Sequence, residues 1–332
     1  MMSKDDILQF LRSSDGGHLS GAELARRLGV SRTAVWKHIQ ALEGEGYRID
    51  AVPSKGYRII AEPDLLRTGE LKRLLAGGII GRDIRYLTET ASTNTLAMEL
   101  AAQGAVEGTV VIAEVQTGGK GRMGRNWVSP KGNLFFSAIL RPDVSPHHAP
   151  LMTLAGAVAV ATALRNISGV EAGIKWPNDI LINGKKVCGL LTEMSAETDR
   201  IRHLVLGVGI NCNMDPGLLP RDVQGSATSL AVAAQGTVDR TRVLAGALIE
   251  LDRWYRAFLT DRRGILDAWK DLNVTIGRQI AVSGAGETLT GTAAGIDAEG
   301  RLLVTLADGS TRTVAAGDVT IVKGQQQVAS SK

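Results

Sequence analysis

Gln116-Thr-Gly-Gly-Lys-Gly-Arg-Met-Gly-Arg-Asn-Trp-Val-Ser-Pro130 sets four glycines among three cations. Glycine permits a positive φ and lets the backbone come close to a ligand. Successive free N–H groups in such a loop form a concave anion site, and arginine can donate two hydrogen bonds to a phosphate. An apolar run over 132–140 predicts a buried strand, so this loop leaves the edge of a sheet. Composition alone is also compatible with a solvated basic loop, since neither common phosphate-loop pattern is present.

The composition is that of a soluble globular chain. Its 332 residues are 44% hydrophobic and 22% charged, which predicts two or three domains. A net charge of +4 permits nucleotide or nucleic-acid partners without requiring them. The two cysteines, Cys188 and Cys212, have no disulfide or zinc spacing, so we expect a reducing, cytoplasmic setting. The longest apolar run, 151–164, is too short to span a bilayer, and we expect no membrane partner.

The first 62 residues predict a winged helix-turn-helix. Ser20 and Glu23 form a capping-box pattern before a helix over 21–28, and Ser31 caps a second helix over 32–43. A hairpin over 47–60 forms the wing. Such modules also serve in dimerisation or packing, but the polar outer face favours DNA binding. Residues 1–62 carry nine Lys or Arg and eight Asp or Glu, net +1, so one copy is expected to bind weakly and a dimer to act. The predicted DNA contacts are Ser31, Arg32, Thr33, Lys37, His38, Lys55 and Arg58.

Three small polar residues, Ser92, Thr93 and Asn94, follow a predicted strand over 86–90 and begin a helix. Such residues usually cap the backbone of the helix they begin. They can also exchange hydrogen bonds with a small polar ligand, and the residues alone favour capping.

The stretch Lys175-Trp-Pro-Asn-Asp179 and the nearby Lys186 place charges inside apolar strands. A buried charge is costly unless it is paired or used. A Lys–Asp pair within the sheet is therefore the structural alternative to a functional site. Further on, Gly207 and Gly209 predict that a ligand or another backbone approaches their strand, and 218–230 predicts a lid over a nucleotide.

Short alternating strands begin at residue 276 and predict a small SH3-like barrel. The predicted fold class is α+β. The predicted domains are a winged helix-turn-helix over 1–62, a central mixed-sheet catalytic domain over 68–275, the barrel over 276–323, and a disordered tail over 324–332.

Two of these motifs resemble the signatures of the biotin protein ligase family. They are Gly-(Arg/Lys)-Gly-Arg-x-Gly-Arg-x-Trp-x-Ser-Pro, matched from Gly119, and Lys-Trp-Pro-Asn-Asp, matched from Lys175. With the winged helix, the chain resembles bifunctional ligase/repressors over nearly its whole length. The resemblance implies a biotin/lipoate ligase-like catalytic domain. It also implies that biotin and Mg-ATP give biotinyl-5′-AMP, which passes biotin to a lysine of the biotin carboxyl carrier protein of acetyl-CoA carboxylase.

The resemblance also implies a homodimer that binds operator DNA when biotinyl-AMP is present, and so represses biotin biosynthesis genes. A carboxylate is already deprotonated at pH 7, so its activation needs alignment and charge neutralisation rather than a general base. By resemblance, biotin is held by Ser92, Thr93, Asn94, Gln116, Lys120, Gly121, Arg122 and Lys186. The implied nucleotide contacts are Arg125, Lys175, Asn178 and Asn211. The implied catalytic residues are Lys186, Arg122, Lys120 and Asp179, with Asp179 a candidate for Mg²⁺ or for orienting the acceptor amine.

The chain departs from the family pattern at two places. Lys120 stands where arginine is commoner, which keeps the charge but loses the bidentate geometry, so a leakier hold on the adenylate is expected. Val322, followed by Lys323, stands where the family places an arginine against ATP.

Two other functions stay open at this point. A ligand-sensing repressor without ligase activity is disfavoured by Lys186 and Arg122. A lipoate ligase, which shares the fold, is disfavoured by the Gly-Lys-Gly-Arg loop and the winged helix.

Overall fold

The computed structural model of the chain describes residues 4–14, 16–284 and 287–322. The chain divides into two compact units, Met1–Glu70 and Leu71–Lys332. The predicted domain limits remain predictions. The predicted tail over 324–332 and the neighbouring Lys323 lie outside the described residues.

The N-terminal unit is a winged helix-turn-helix, as predicted. Its elements, and the helix that crosses into the second unit, are α1 (Lys4–Arg12), α2 (Gly21–Leu28), α3 (Arg32–Gly44), β1 (Arg48–Val52), β2 (Gly56–Ala61) and α4 (Thr68–Leu74). Strands β1 and β2 pair antiparallel. The core of this unit includes Ile7, Leu24, Val35, Ile39 and Leu42, all of which are buried.

Serine caps begin both helices of the helix-turn-helix. Ser20 Oγ accepts from Glu23 N, and Ser31 Oγ accepts from Ala34 N, both at 3.1 Å. The predicted capping box forms only in its first half. The Glu23 carboxylate instead accepts from Arg26 and Arg27 one turn further on, because two charge-assisted bonds outcompete one bond to a backbone amide.

The central sheet has seven strands in the order β3-β4-β5-β9-β8-β7-β6. Their bounds are β3 (Asp83–Thr90), β4 (Thr109–Gln116), β5 (Leu134–Leu140), β6 (Ala172–Lys175), β7 (Asp179–Ile182), β8 (Lys185–Ala196) and β9 (Ile201–Ile210). Only β3 and β4 pair in parallel within it, so the sheet is mixed, as predicted.

The helices of this unit after α4 are α5 (Thr93–Ala102), α6 (Ala149–Ser168), α7 (Arg221–Gln224), α8 (Leu230–Ala233), α9 (Arg240–Thr260) and α10 (Arg262–Leu272). Helices α5 and α6 pack on the sheet, and α9 packs against α6. Side chains alternate across a strand. In β9, Val205 packs against α5, whereas Leu206 faces α6. The next residues on the α5 side are Gly207 and Gly209, and their lack of side chains makes room for Asn94 and Trp127.

The segment Pro146–Ser168 is 23 residues long and apolar enough, by length and composition alone, to cross a membrane. It is longer than the apolar run identified in the sequence. Its apolar window is 67% buried, and α6 packs against α9, α10 and β8. A helix covered in this way is a core helix of the domain.

The C-terminal part is a five-stranded antiparallel sheet of the predicted SH3-like kind, in the order β13-β12-β11-β10-β14. Its strands are β10 (Gln279–Gly284), β11 (Glu287–Ile296), β12 (Leu302–Thr305), β13 (Thr311–Val314) and β14 (Asp318–Ile321). Trp176, which precedes a cis proline, anchors it. Its indole N–H donates to Gly300 O at 2.9 Å, and its backbone N–H donates to Thr275 Oγ1 at 2.9 Å.

We predict that Trp176→Phe destabilises the chain more than Trp269→Phe does. Both indoles are buried, but the Trp269 Nε1 has no acceptor among the described residues. The two changes remove the same atoms, so their difference isolates the bond to Gly300 O and should be about 1–3 kcal/mol in urea unfolding. Equal losses would show that this bond contributes nothing.

Candidate active site and DNA-binding surface

A cavity of about 520 Å³ lies among the N-terminus of α5, the end of β4, strands β6 to β9 and strand β14. This volume is typical of a small-molecule site. Every residue predicted for the ligase site lines it: Ser92, Thr93, Asn94, Gln116, Lys120, Gly121, Arg122, Arg125, Lys175, Asn178, Asp179, Lys186 and Asn211. The structure brings these side chains together, while their individual roles remain predictions.

The polar end of the cavity is built on α5. Ser92 is the N-cap of that helix, with its Oγ accepting from Thr95 N at 3.4 Å, so the capping role and the position in the cavity coexist. Thr93 donates twice to Gln116 Oε1, from its N–H at 2.8 Å and its hydroxyl at 3.1 Å. Asn94 Nδ2 donates to Glu193 Oε2 at 2.8 Å.

Sequence reasoning missed two residues of this network. Ser137 Oγ lies 2.7 Å from Asn94 Oδ1 and 2.8 Å from Thr93 Oγ1, and Glu193 receives the Asn94 amide. Both residues sit inside strands, where no local pattern marks them. Only the pairing of β5 and β8 with β9 brings them beneath α5.

The basic loop, residues 118–127, is a small hairpin rather than an open ring of amides. Trp127 N donates to Gly119 O at 2.8 Å, and Gly121 N donates to Arg125 O at 2.7 Å. Its tip includes Met123 at φ 55° and Gly124 at φ 74°. The predicted run of free N–H groups is therefore wrong in part, because the loop satisfies several of its own amides. What it presents to the cavity is mainly side-chain charge.

The two loop arginines contact the C-terminal sheet. Arg122 Nη1 donates to Asn178 Oδ1 at 3.1 Å and to Gly317 O at 3.3 Å. Arg125 Nη2 lies 2.7 Å from Asp318 Oδ1. Burial lowers the pKa of the Arg122 guanidinium, although arginine stays protonated in proteins. Lys120 is exposed and lines the cavity.

Asp179 holds two lysines at once. Its Oδ1 lies 2.6 Å from Lys186 Nζ and its Oδ2 lies 2.9 Å from Lys175 Nζ. Burial alone would raise the pKa of Asp179, but the two ammonium groups outweigh it and hold that pKa below its usual range. The predicted structural alternative, a Lys–Asp pair, is thus present within the cavity itself.

A resident Mg²⁺ does not fit this donor set. Among residues 4–14, 16–284 and 287–322, no group of three or more His, Cys, Asp or Glu side chains could hold an ion. The proposed ligand Asp179 already has both oxygens paired with lysines. Magnesium commonly binds through substrate phosphates, so it would enter with ATP as part of the substrate.

Trp127 lines the cavity beside Lys186. Lys186 Nζ is 5.1 Å from the centre of its ring. A Cβ on Gly209 would come within 2.6 Å of the Trp127 indole, and one on Gly207 would overlap Asn94 Oδ1. The side chains of Asn94 and Trp127 approach these two glycines, which also line the cavity, so the expected close approach of a ligand stays a prediction.

The segment over 218–230 is tied to the strand that carries Lys186. Lys186 N donates to Ser226 O at 2.7 Å, and Thr228 N donates to Lys186 O at 2.9 Å. Asn211 Nδ2 donates to Thr228 O at 3.0 Å. Asn211 therefore holds this segment in place beside the cavity, and its predicted nucleotide contact stays a prediction.

The predicted DNA-contacting residues fall on α3 and the wing. Ser31, Arg32, Thr33, Lys37 and Lys55 are exposed, and His38 is half-buried. Arg58 is paired with Asp50 at 3.0 Å, because β1 and β2 place them opposite each other. A pairing of this kind reduces its availability to phosphate.

Sequence reasoning also missed Trp36, which is 52% exposed on α3. Its one-turn spacing from Arg32 and Gln40 was the available signal. It lines a second cavity, of about 560 Å³, with Arg32 and the wing turn around Ser54.

Together these features define an ATP-dependent ligase of the biotin/lipoate class with an attached DNA-binding domain. Three family models match the chain: an HTH domain over 4–58, the Biotin/lipoate A/B protein ligase family over 86–211, and the Biotin protein ligase C terminal domain over 275–322. The bifunctional ligase/repressor BirA of Bacillus subtilis is 40% identical over 308 residues, which cover 92% of this chain and 95% of that protein. The biotin--[acetyl-CoA-carboxylase] ligase of Mycobacterium tuberculosis is 33% identical over 254 residues, covering 74% and 92%.

Among solved structures, the biotin protein ligase from Aquifex aeolicus in complex with biotin and ATP matches with a TM-score of 0.63 and 26% identity, covering 73% of this chain and 100% of that one. The chain belongs to the biotin protein ligase family, in its bifunctional ligase/repressor group. The lipoate alternative is thereby set aside.

We predict that Asp179→Asn lowers the free energy of unfolding by about 1–3 kcal/mol at pH 7, because two half-buried lysines lose their carboxylate. The folded pKa of Asp179 is depressed, so its contribution is present above the unfolded pKa of about 3.9 and is lost as the pH falls through the folded value. In urea titrations at successively lower pH, the two proteins should converge. Asp83→Asn, whose partner Arg85 is exposed, should cost less than about 0.5 kcal/mol. A pH-independent gap would contradict the assignment.

Proposed function

We propose that this chain condenses biotin with ATP to biotinyl-5′-AMP and transfers the biotinyl group to a lysine of a biotin carboxyl carrier protein. The observation that carries the proposal is the convergence of the α5 polar residues, the basic loop and the Lys186–Asp179 pair on one cavity. The acceptor is taken from the Mycobacterium tuberculosis relative, which is named as a ligase acting on acetyl-CoA carboxylase.

The first step is attack of the biotin carboxylate oxygen on the α-phosphorus of ATP. A carboxylate–phosphorus bond forms, and the bond from that phosphorus to pyrophosphate breaks. No base is required, so the residues act by position and charge. Lys186, held by Asp179 at 2.6 Å, faces the developing charge, and Arg122 and Lys120 cover the carboxylate and phosphate.

The second step is attack of the neutral acceptor amine on the acyl carbon. A carbon–nitrogen bond forms, the bond from that carbon to the AMP oxygen breaks, and the amine releases one proton to solvent. Arg125, which is exposed, meets the nucleotide phosphates once they replace its partner Asp318. Lys175, Asn178 and Asn211 take the remaining nucleotide contacts. Lys120 in place of arginine makes the hold on the adenylate looser, and Lys120→Arg should slow adenylate release.

The chain is also a DNA-binding repressor, with biotinyl-AMP as corepressor. The exposed polar face of α3 and the wing residue Lys55 support operator binding. A homodimer forms when biotinyl-AMP is bound and places two recognition helices on a palindromic operator. The repressed genes are those of biotin biosynthesis, and the protein acts in the cytoplasm.

Biotin-dependent pyrophosphate release, followed by transfer of labelled biotin to an apo-carrier domain, tests the ligase. The wild-type chain should perform both steps. Lys186→Ala should lose about 10²–10³-fold in the first step, because a charge-stabilising group is removed. Its neighbour Lys185 is exposed, so Lys185→Ala is the matched control and should keep the wild-type rate. If the wild type bound biotin but released no pyrophosphate, the result would favour a ligand-sensing repressor without ligase activity.

Sedimentation with and without biotinyl-AMP tests the switch. We predict a monomer without the ligand and a dimer with it at micromolar concentration, because only one ligand state orders the surface for self-association. A mass that does not change on adding biotinyl-AMP would contradict ligand-driven dimerisation while leaving the ligase activity intact.

A further inference from the structure

A linear series of hydrogen bonds runs along the cavity wall, from α5 to the end of the basic loop. Thr93 donates to Gln116 Oε1, and Gln116 Nε2 donates to Ser129 Oγ at 3.0 Å. The Ser129 hydroxyl in turn donates to Trp127 O at 3.0 Å. Ser129 is only 6% exposed, and it lies behind the residues that line the cavity.

The direction of each hydrogen bond in this series follows from the groups at its two ends. A backbone N–H can only donate, so the Gln116 atom beside Thr93 N is the amide oxygen. A carbonyl can only accept, so the Ser129 proton goes to Trp127 O and its lone pair receives Gln116 Nε2. The second amide proton of Gln116 is then the group that its side chain can donate to a molecule in the cavity.

The basic loop closes directly over the same atoms. A Cβ on Gly119 would lie 2.7 Å from Ser129 Oγ and 3.1 Å from Gln116 Nε2, and it would be closer still to Trp127 O. Gly119 O also accepts from Trp127 N at 2.8 Å. The Ser129 hydroxyl is therefore the point where both ends of the basic loop meet Gln116, which lines the cavity.

We propose that Ser129 is a positioning residue for biotin activation. Its hydroxyl sets which polar group Gln116 presents to the biotin head group, and it joins that orientation to the base of the basic loop. This inference rests on the proposed function, since biotin is the ligand whose head group Gln116 would meet. Ser129 acts through Gln116 and Trp127, without touching the substrate.

Steady-state pyrophosphate release by Ser129→Ala tests the proposal. The variant removes an acceptor from Gln116 and a donor from Trp127 while changing the volume by one oxygen atom. The KM for biotin should rise about tenfold, because a buried amide without its partner can turn. The KM for ATP should stay within about twofold, since the proposed nucleotide contacts Lys175 and Asn178 take no part in this series of hydrogen bonds. Ser129→Cys keeps a weak donor and acceptor and should fall between the wild type and Ser129→Ala.

Ser168→Ala is the matched control, because its buried hydroxyl has no hydrogen-bond partner in the described residues. It should leave both KM values unchanged. An unchanged biotin KM in Ser129→Ala would overturn the proposal. So would equal rises in both KM values with a lowered melting temperature, which mark a purely structural role. Absence of biotin-dependent pyrophosphate release in the wild type would overturn the proposed function and this inference with it.

Gly119→Ala gives an independent test at the same point. Its methyl group would come closest to Trp127 O, the acceptor of the Ser129 hydroxyl, and would also press on Ser129 Oγ and Gln116 Nε2 without removing any of these groups. It should reproduce the selective rise in the biotin KM. A variant that raised only the KM for ATP would show that Gly119 serves the nucleotide side alone, and that the shared contact is wrong.

Discussion

Mutual repulsion among five cations is the constraint on which this site depends. Lys120, Arg122, Arg125, Lys175 and Lys186 line a cavity of about 520 Å³. A ligand with a triphosphate and a carboxylate would neutralise them, but the fold must also hold them before that ligand arrives. Like charges at such separations are costly unless anions or dipoles lie between them.

The protein meets this constraint with two kinds of partner. Asp179 lies between two lysines with its side chain only 13% exposed, so little solvent screens the pairing that keeps Lys186 in place. Asp318 is more accessible, and its partner Arg125 is 60% exposed, so this pair is weak and can exchange for phosphate. Arg122 has a partner of a third kind, since it donates to the neutral oxygens of Asn178 and Gly317. The strength of the partner thus separates two firmly held lysines from an arginine whose carboxylate partner can be replaced.

Much of this arrangement followed from local sequence. The glycine and cation order after Gln116, the Ser31 cap and the alternation beyond residue 276 each depend on neighbouring residues, and the winged helix, mixed sheet and SH3-like sheet were confirmed. The features that the sequence did not reveal needed long-range information. The sequence marks Gly207 and Gly209 as open positions, but only strand pairing and α5 reveal that Asn94 and Trp127 fill them. Ser129 likewise looks like a loop serine until Gln116 is placed against it.

The dissociation rate of biotinyl-AMP tests most directly whether the basic loop holds the adenylate. Bound biotinyl-AMP should leave Arg122→Gln at least about tenfold faster than the wild type, because a charge-assisted hydrogen bond to phosphate is lost. Arg82→Gln, on a surface arginine outside the cavity lining, should release it at the wild-type rate. Equal rates for Arg122→Gln and the wild type would show that the basic loop does not retain the intermediate.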